Sequence, residues 1–435
     1  MSNRTRQNIV FRILSTCILV LSSWTQMLPQ NMPGNFARTD SSTTKNNRNE
    51  FRSNIYKDII RNNFSFPLSG KTESRWKGAY WGCEISYFRD TLVYERLKEA
   101  LRQYNERSSE FNRATLEALY TLYPAGFEND IRRIIKETQN PKHFAMAAEY
   151  LRRISDGNTS ENKKLLELMS RKFPAWQNDP ILFMLKYRLE KTKETLPDIA
   201  GLLKHEFWKG KTVIISFQSE NRDYEGITVI RCPDGKFVKD SSGNIFHINQ
   251  LARSLSNLPG YLTNGSTPEG IYSVQKIDTS DNKFIGKTPL IVTALPFEVP
   301  PDLFFKDSKL KGISWSTDLY RKMLPGSWVD YFPLYEAFYA GMAGRSEIVM
   351  HGTTIDPEFY KNAPYYPNTP SMGCMTAKEI YSSEDGRLVL SDQQKLIDAF
   401  TGCYKKEAFL VVINIEGKED ELSINEIRGF IEEAE

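Results

Sequence analysis

The sequence predicts a multidomain chain in which an all-α, helical-hairpin region precedes a mostly-β domain. Three observations carry that expectation. At 435 residues the chain is longer than one ordinary domain. From Tyr87 to Lys193 apolar residues recur at three- and four-residue spacing, as in "TLVYERLKEALRQY", "ATLEALYTLY", "DIRRIIKET" and "AMAAEYLRRI". Beyond Leu203 the pattern turns to β-branched and aromatic runs such as "TVIISFQ", "YEGITVIRC" and "FLVVINIEG", parted by Gly, Asp-Gly and Asn turns. An apolar share of 40% supports sizeable cores, and a net charge of +3 without a long basic run gives no reason to expect a nucleic-acid partner.

Residues 1–29 read as a signal peptide or N-terminal anchor. Arg4, Arg6 and Arg12 precede "ILSTCILVLSSW", an apolar stretch too short for a comfortable membrane span. Cleavage and retention are both open. The chain is expected to be exported to the periplasm or cell envelope, with membrane contact only through this segment. Residues 30–75, rich in Asn, Ser, Thr and Arg, read as a tether or loosely ordered arm. Residues 76–203 are the helical region. Here "YPAGFENDI" at Tyr123–Ile131 recurs as "FPAWQNDPI" at Phe173–Ile181. A short array of helical hairpins with a docking surface for a protein partner fits this echo, and so does an ordinary bundle with two similar turns. Residues 204–418 are the β domain, with an aromatic-rich insertion at about 291–345. Residues 419–435 close the chain as a helix with Ser423 as its cap.

Chemistry concentrates in "MHGTTIDPEFYKNAPYYPNTPSMGCM", Met350 to Met375. It holds His351, one of four histidines, and Cys374, one of five cysteines. A thiol is a nucleophile only as thiolate, and an imidazole within hydrogen-bond reach generates that anion. His351 ends the apolar run "EIVM", where a side chain emerges at the rim of a sheet. Gly352 lets a backbone carbonyl approach the imidazole and fix its tautomer. Gly373 permits a turn that aims main-chain N–H groups at one point, the construction of an oxyanion hole. Zinc is not expected, because no CxxC, HxxxH or HExxH pair occurs and His143, His205, His247 and His351 are scattered. With one cysteine working as a thiol, at most one disulfide remains among Cys83, Cys232 and Cys403.

These pieces together resemble the L,D-transpeptidase (YkuD-type) catalytic domain family of bacterial peptidoglycan enzymes. "TPEGIYSV" from Thr267, "HGT" from His351 and "SMGCM" from Ser371 occur in the family's order. The resemblance covers roughly residues 204–417 and does not reach the helical region. It implies a mostly-β L,D-transpeptidase-like domain that needs no cofactor or metal and acts on peptidoglycan tetrapeptide stems. Cys374 would be the acylated nucleophile and His351 its base. Gly352 would hold or adjoin the orienting carbonyl, and Gly373 with Cys374 would form the oxyanion hole. Thr353 and Ser371 would be structural or substrate-edge hydroxyls, and Trp328, Tyr331 and Phe332 would contact substrate. One departure stands out: Thr376 occupies the position where the family usually has Arg or Asn, and Lys378 is the nearby residue that could substitute. Hydrolysis of the same acyl-enzyme, as a carboxypeptidase or endopeptidase, is the alternative activity. A retired, wall-binding scaffold is the non-enzymatic one.

Overall fold

The computed structural model describes residues 38–190 and 194–435. The expected signal or anchor segment, residues 1–29, lies outside them. The first half is helical: α1 (Lys45–Asn54), α2 (Glu73–Ser86), α3 (Thr91–Arg102), α4 (Ser109–Leu122), α5 (Glu128–Glu137), α6 (Pro141–Ile154), α7 (Thr159–Lys172) and α8 (Pro180–Glu190). Local chemistry sets the helix starts. The side chains of Asp90, Ser108 and Asn140 each accept a first-turn N–H of α3, α4 and α6, and Pro141 occupies a position whose N–H has no partner to lose.

Helix α6 is the hub. Nine successive residues, His143 to Leu151, are buried, because α4, α5, α7 and α8 all pack around it. A repeat array brings each unit into contact only with its sequence neighbours. The echoed segments at 123–131 and 173–181 each join two helices that pack against α6.

The expectation of a tether or loose arm needs correction over residues 38–75, while residues 30–37 lie outside the described residues. Helix α1 runs on through a π-helical stretch, Ile55–Arg61, and Asn62–Phe64. Ile55, Ile60 and Phe64 are fully buried. The polar composition reports the outer face of this helix, while a thin apolar stripe docks it. Arg52 Nε also lies 2.5 Å from Asp356 Oδ2, which fastens the helix to the segment between His351 and Cys374.

The second half is a closed eight-stranded barrel. Its strands are β1 (Thr212–Ser219), β2 (Gly226–Arg231), β3 (Ile248–Leu251), β4 (Gly270–Asp278), β5 (Leu290–Ala294), β6 (Val349–Gly352) and β7 (Met375–Ala377). A separate hairpin, β8 (Glu379–Tyr381) with β9 (Leu388–Ser391), comes before the last barrel strand, β10 (Ala408–Ile415). The barrel order is β1-β10-β4-β5-β6-β7-β3-β2, with β1·β10 and β6·β7 parallel and the other pairs antiparallel. Both faces of β1 are buried, which explains why it reads as an unbroken apolar run. On one face Ile214, Leu410 and Val412 pack with Leu396 and Phe400 of helix Asp392–Cys403. On the other, Val213, Val411 and Ile413 pack with Trp328, Tyr320 and Ile427.

The aromatic insertion is thus a wall of the second core. Phe304, Tyr320 and Trp328 have no exposed surface. The terminal helix, Ile424–Ala434, begins where Ser423 donates its N–H to Glu426 at 2.7 Å, as its sequence suggests. A disulfide joins Cys232, just after β2, to Cys403, with Cα atoms 5.4 Å apart.

The two halves share surface. Leu251, Leu255, Leu258, Tyr261 and Leu262, all from the β half, belong to the bundle's hydrophobic core. Polar contacts align with it: Tyr261 Oη donates to Glu149 Oε1 at 3.0 Å, Asn264 Nδ2 to Glu117 Oε1 at 2.8 Å, and Tyr360 Oη to Ile85 O at 2.6 Å. Glu149 also binds Arg188 at 2.6 Å, so its buried charge is paired.

Candidate active site

Strands β6 and β7 carry the two residues singled out from the sequence. Their parallel register pairs Met350 with Met375 and His351 with Thr376. Met350 and Met375 are fully buried in the core. Side chains alternate along a strand, so His351 lies on the opposite face, and Cys374, directly before Met375, returns to it. Two residues of offset and one strand spacing place the Cα atoms of His351 and Cys374 about 8 Å apart. Folding has closed the 23-residue separation.

His351 is 4% exposed, and its Nδ1 lies 2.7 Å from Gly352 O. A carbonyl only accepts, so Nδ1 carries the proton and Nε2 the lone pair. Gly352 O also accepts the Gly286 N–H at 2.7 Å, which fixes the carbonyl that fixes the ring. Gly352 must be glycine here, since a Cβ would strike the Glu379 carboxyl. Burial lowers the His351 pKa below its ordinary value, against the opposing effect of the Gly352 bond. His143 shows the contrast. Tyr104 Oη lies 2.6 Å from its Nδ1 and Ser109 O 3.0 Å from its Nε2, and burial pushes it down to about 4. Both of its nitrogens are used, so it is a core histidine.

Cys374 is partly exposed, and its Sγ donates to Glu347 O at 3.3 Å. Only the thiol makes that bond; a thiolate has no proton to give and is repelled by the carbonyl. Deprotonation therefore breaks this bond. Cys83, by contrast, is buried in the bundle, and burial pushes its thiol well above the ordinary range.

The loop before Cys374 is internally bonded. Ser371 Oγ donates to Cys374 O at 2.8 Å and accepts the Gly373 N–H at 3.0 Å. Thr267, the first residue of "TPEG", donates to Gly373 O at 2.9 Å. All three sequence pieces thus meet at one place. The roles of several residues change, however. The Gly373 N–H is committed to Ser371, so the oxyanion-hole role expected of Gly373 is corrected to a turn at φ +117° that only glycine adopts readily. Ser371 is a loop brace and not a substrate contact. Thr353 is likewise internal, bonded at 2.6 Å to Thr369 Oγ1.

The aromatic substrate contacts are also corrected. Trp328 is fully buried, with its Nε1 donating to Asp198 O at 2.8 Å. Tyr331 packs edge-on against it, and Phe332 packs at a tilt against Tyr187 of α8, ring centroids 4.2 Å apart. Lys378 pairs with Asp392 at 3.8 Å.

The sequence reading missed Arg345. Its buried guanidinium donates Nη1 to Gly260 O and, at 2.7 Å, to Ser266 O, and Nη2 to Gly265 O. A Cβ on Gly373 would strike Nη2. The only sequence signal was a lone Arg among small residues in "AGRSE". Among the described residues no group of three or more His, Cys, Asp or Glu is placed to hold a metal ion. A surface depression of about 360 Å³, lined by His247, Asn249 and Glu421 among others, includes neither Cys374 nor His351. No family model, no curated protein and no solved structure matches the chain.

Proposed function

We propose that the chain is an exported cysteine L,D-transpeptidase that works on peptidoglycan stem peptides through a Cys374 acyl-enzyme. The observation that supports it most is the placement of Cys374 beside His351 on parallel strands, with the imidazole tautomer set by Gly352 O. In this reading His351 Nε2 takes the thiol proton. The thiolate adds to the carbonyl of the diamino-acid residue, and the C–N bond to the terminal D-alanine breaks. The departing amine leaves with the proton from the imidazolium. An acceptor amine from a neighbouring stem then attacks the thioester, gives its proton to His351, and restores the thiol. The main-chain N–H of Cys374 is the proposed oxyanion donor. Thioester exchange needs no nucleotide, which suits a compartment outside the membrane, and the Cys232–Cys403 disulfide suits an oxidising one.

Hydrolysis is the second reading, and one observation favours it. The aromatic insertion is packed into the core instead of over Cys374, which stays partly exposed to water. Incubation with tetrapeptide muropeptides separates the two: crosslinked dimers mean transfer, and monomeric tripeptide alone means hydrolysis. Neither product would overturn both readings.

A further inference from the structure

Arg345 raises a question of charge. Its three carbonyl partners satisfy N–H groups but do not neutralise a cation. Among the described residues no carboxylate lies within ion-pair distance of it. The titratable groups that face it are Tyr272, Glu336 and Cys374. Glu336 is already engaged, accepting the N–H groups of Tyr261 at 3.2 Å and Glu269 at 3.1 Å. Those bonds leave the Glu336 charge in place, so the guanidinium acts on both Glu336 and the Cys374 sulfur, which is one residue from the glycine whose Cβ it would exclude.

We propose that Arg345 is a positioning residue for the acyl-transfer reaction: it clamps the Gly260–Ser266 loop to Gly373 and supplies the fixed positive charge that favours the Cys374 thiolate. The inference rests on the cysteine acyl-transfer reading above. His351 cannot supply that charge at rest, because its buried ring is neutral near pH 7. The groups around the sulfur work in opposite directions. Arg345 favours the anion. The Glu347 carbonyl favours the thiol. Glu298 accepts the Glu347 N–H at 2.9 Å and so holds that carbonyl's residue in place. A permanent cation without a carboxylate of its own is the group suited to offset the carbonyl.

The test is the pH dependence of Cys374 alkylation by iodoacetamide in the full chain, read by peptide mass. It needs no substrate. Wild type should react with a midpoint about one unit or more below the ordinary thiol value near ~8.5. Arg345→Gln should raise that midpoint by about one unit, and Arg345→Lys should keep most of the depression. A folded Arg345→Gln protein with the wild-type midpoint would overturn the proposal. Should Arg345→Gln fail to fold, His351→Ala decides: a midpoint still depressed supports Arg345, and a return to ~8.5 assigns the effect to the imidazole. Muropeptide turnover measured in parallel keeps the two readings apart. A depressed, Arg345-dependent midpoint without turnover would sink the transpeptidase reading alone. Turnover with a midpoint indifferent to Arg345 would sink the Arg345 assignment alone.

Discussion

At the scale of residues, His351 is the point where burial bears on the proposed reaction. Its ring is held by one carbonyl and its pKa is lowered by desolvation. The neutral, basic form therefore persists to lower pH than in a solvated histidine. The acidic limb of kcat/KM should fall below the ordinary imidazole value of 6.5. A limb at or above that value would contradict the burial argument. Thr376 gives a second expectation. It is 1% exposed, pairs across the ladder with His351 and donates to Thr369 O at 2.7 Å. An arginine there must displace packed atoms and bury a charge, so Thr376→Arg should lower stability by about 3 kcal/mol instead of improving the site. Denaturant melts of the two proteins check it, and equal midpoints would refute it.

Among the elements, the β6–β7 pair depends on the hairpin β8–β9 beneath it. Glu379 of β8 accepts from Tyr381 Oη at 2.7 Å and Ser391 Oγ at 2.8 Å, and its carboxyl lies against Gly286 and Gly352. Burial raises its pKa from 4.5 to about 7. The folded state thus holds the proton more tightly between those values. Stabilisation is complete below 4.5 and is lost as pH rises through about 7, a change of about 3 kcal/mol. Glu379→Gln should reduce the slope of stability across this window, leaving the part contributed by the other carboxyls that burial raises, Glu269 to about 8 and Glu84, Glu117, Glu225 and Glu298 above their ordinary value. An unchanged slope in Glu379→Gln would show that the carboxyl titrates normally. Neither the Glu379 wedge nor Arg345 was legible in the sequence. Each acts through a glycine distant in the chain, and no local period or spacing records such a contact. His351, Cys374 and the strand "EIVM" were legible, because strand alternation and residue chemistry are local properties. Trp328, Tyr331 and Phe332 misled for a related reason: aromatic density has the same look in a wall and in a substrate groove.

For the whole molecule, the change from helical to β periodicity near Leu203 was plain, but the dependence between the halves was not. The bundle holds Leu255, Leu258, Tyr261 and Leu262, and the same loop supplies the carbonyls that receive Arg345. A chain of contacts therefore runs from α6 through Tyr261 to Gly373 and Cys374. A protein limited to residues 204–435 should expose that apolar loop and aggregate or melt well below the full chain, whereas an independent catalytic domain would fold and label at Cys374 normally. Thermal melts with thiol mapping distinguish the outcomes. The central claim, that Cys374 is a nucleophile activated within this fold, is tested most directly by intact mass after exposure to a carbapenem, whose strained lactam carbonyl is open to a thiolate. The account predicts one covalent adduct on wild type and none on Cys374→Ala. An equal adduct on both proteins, or none on wild type, would contradict it.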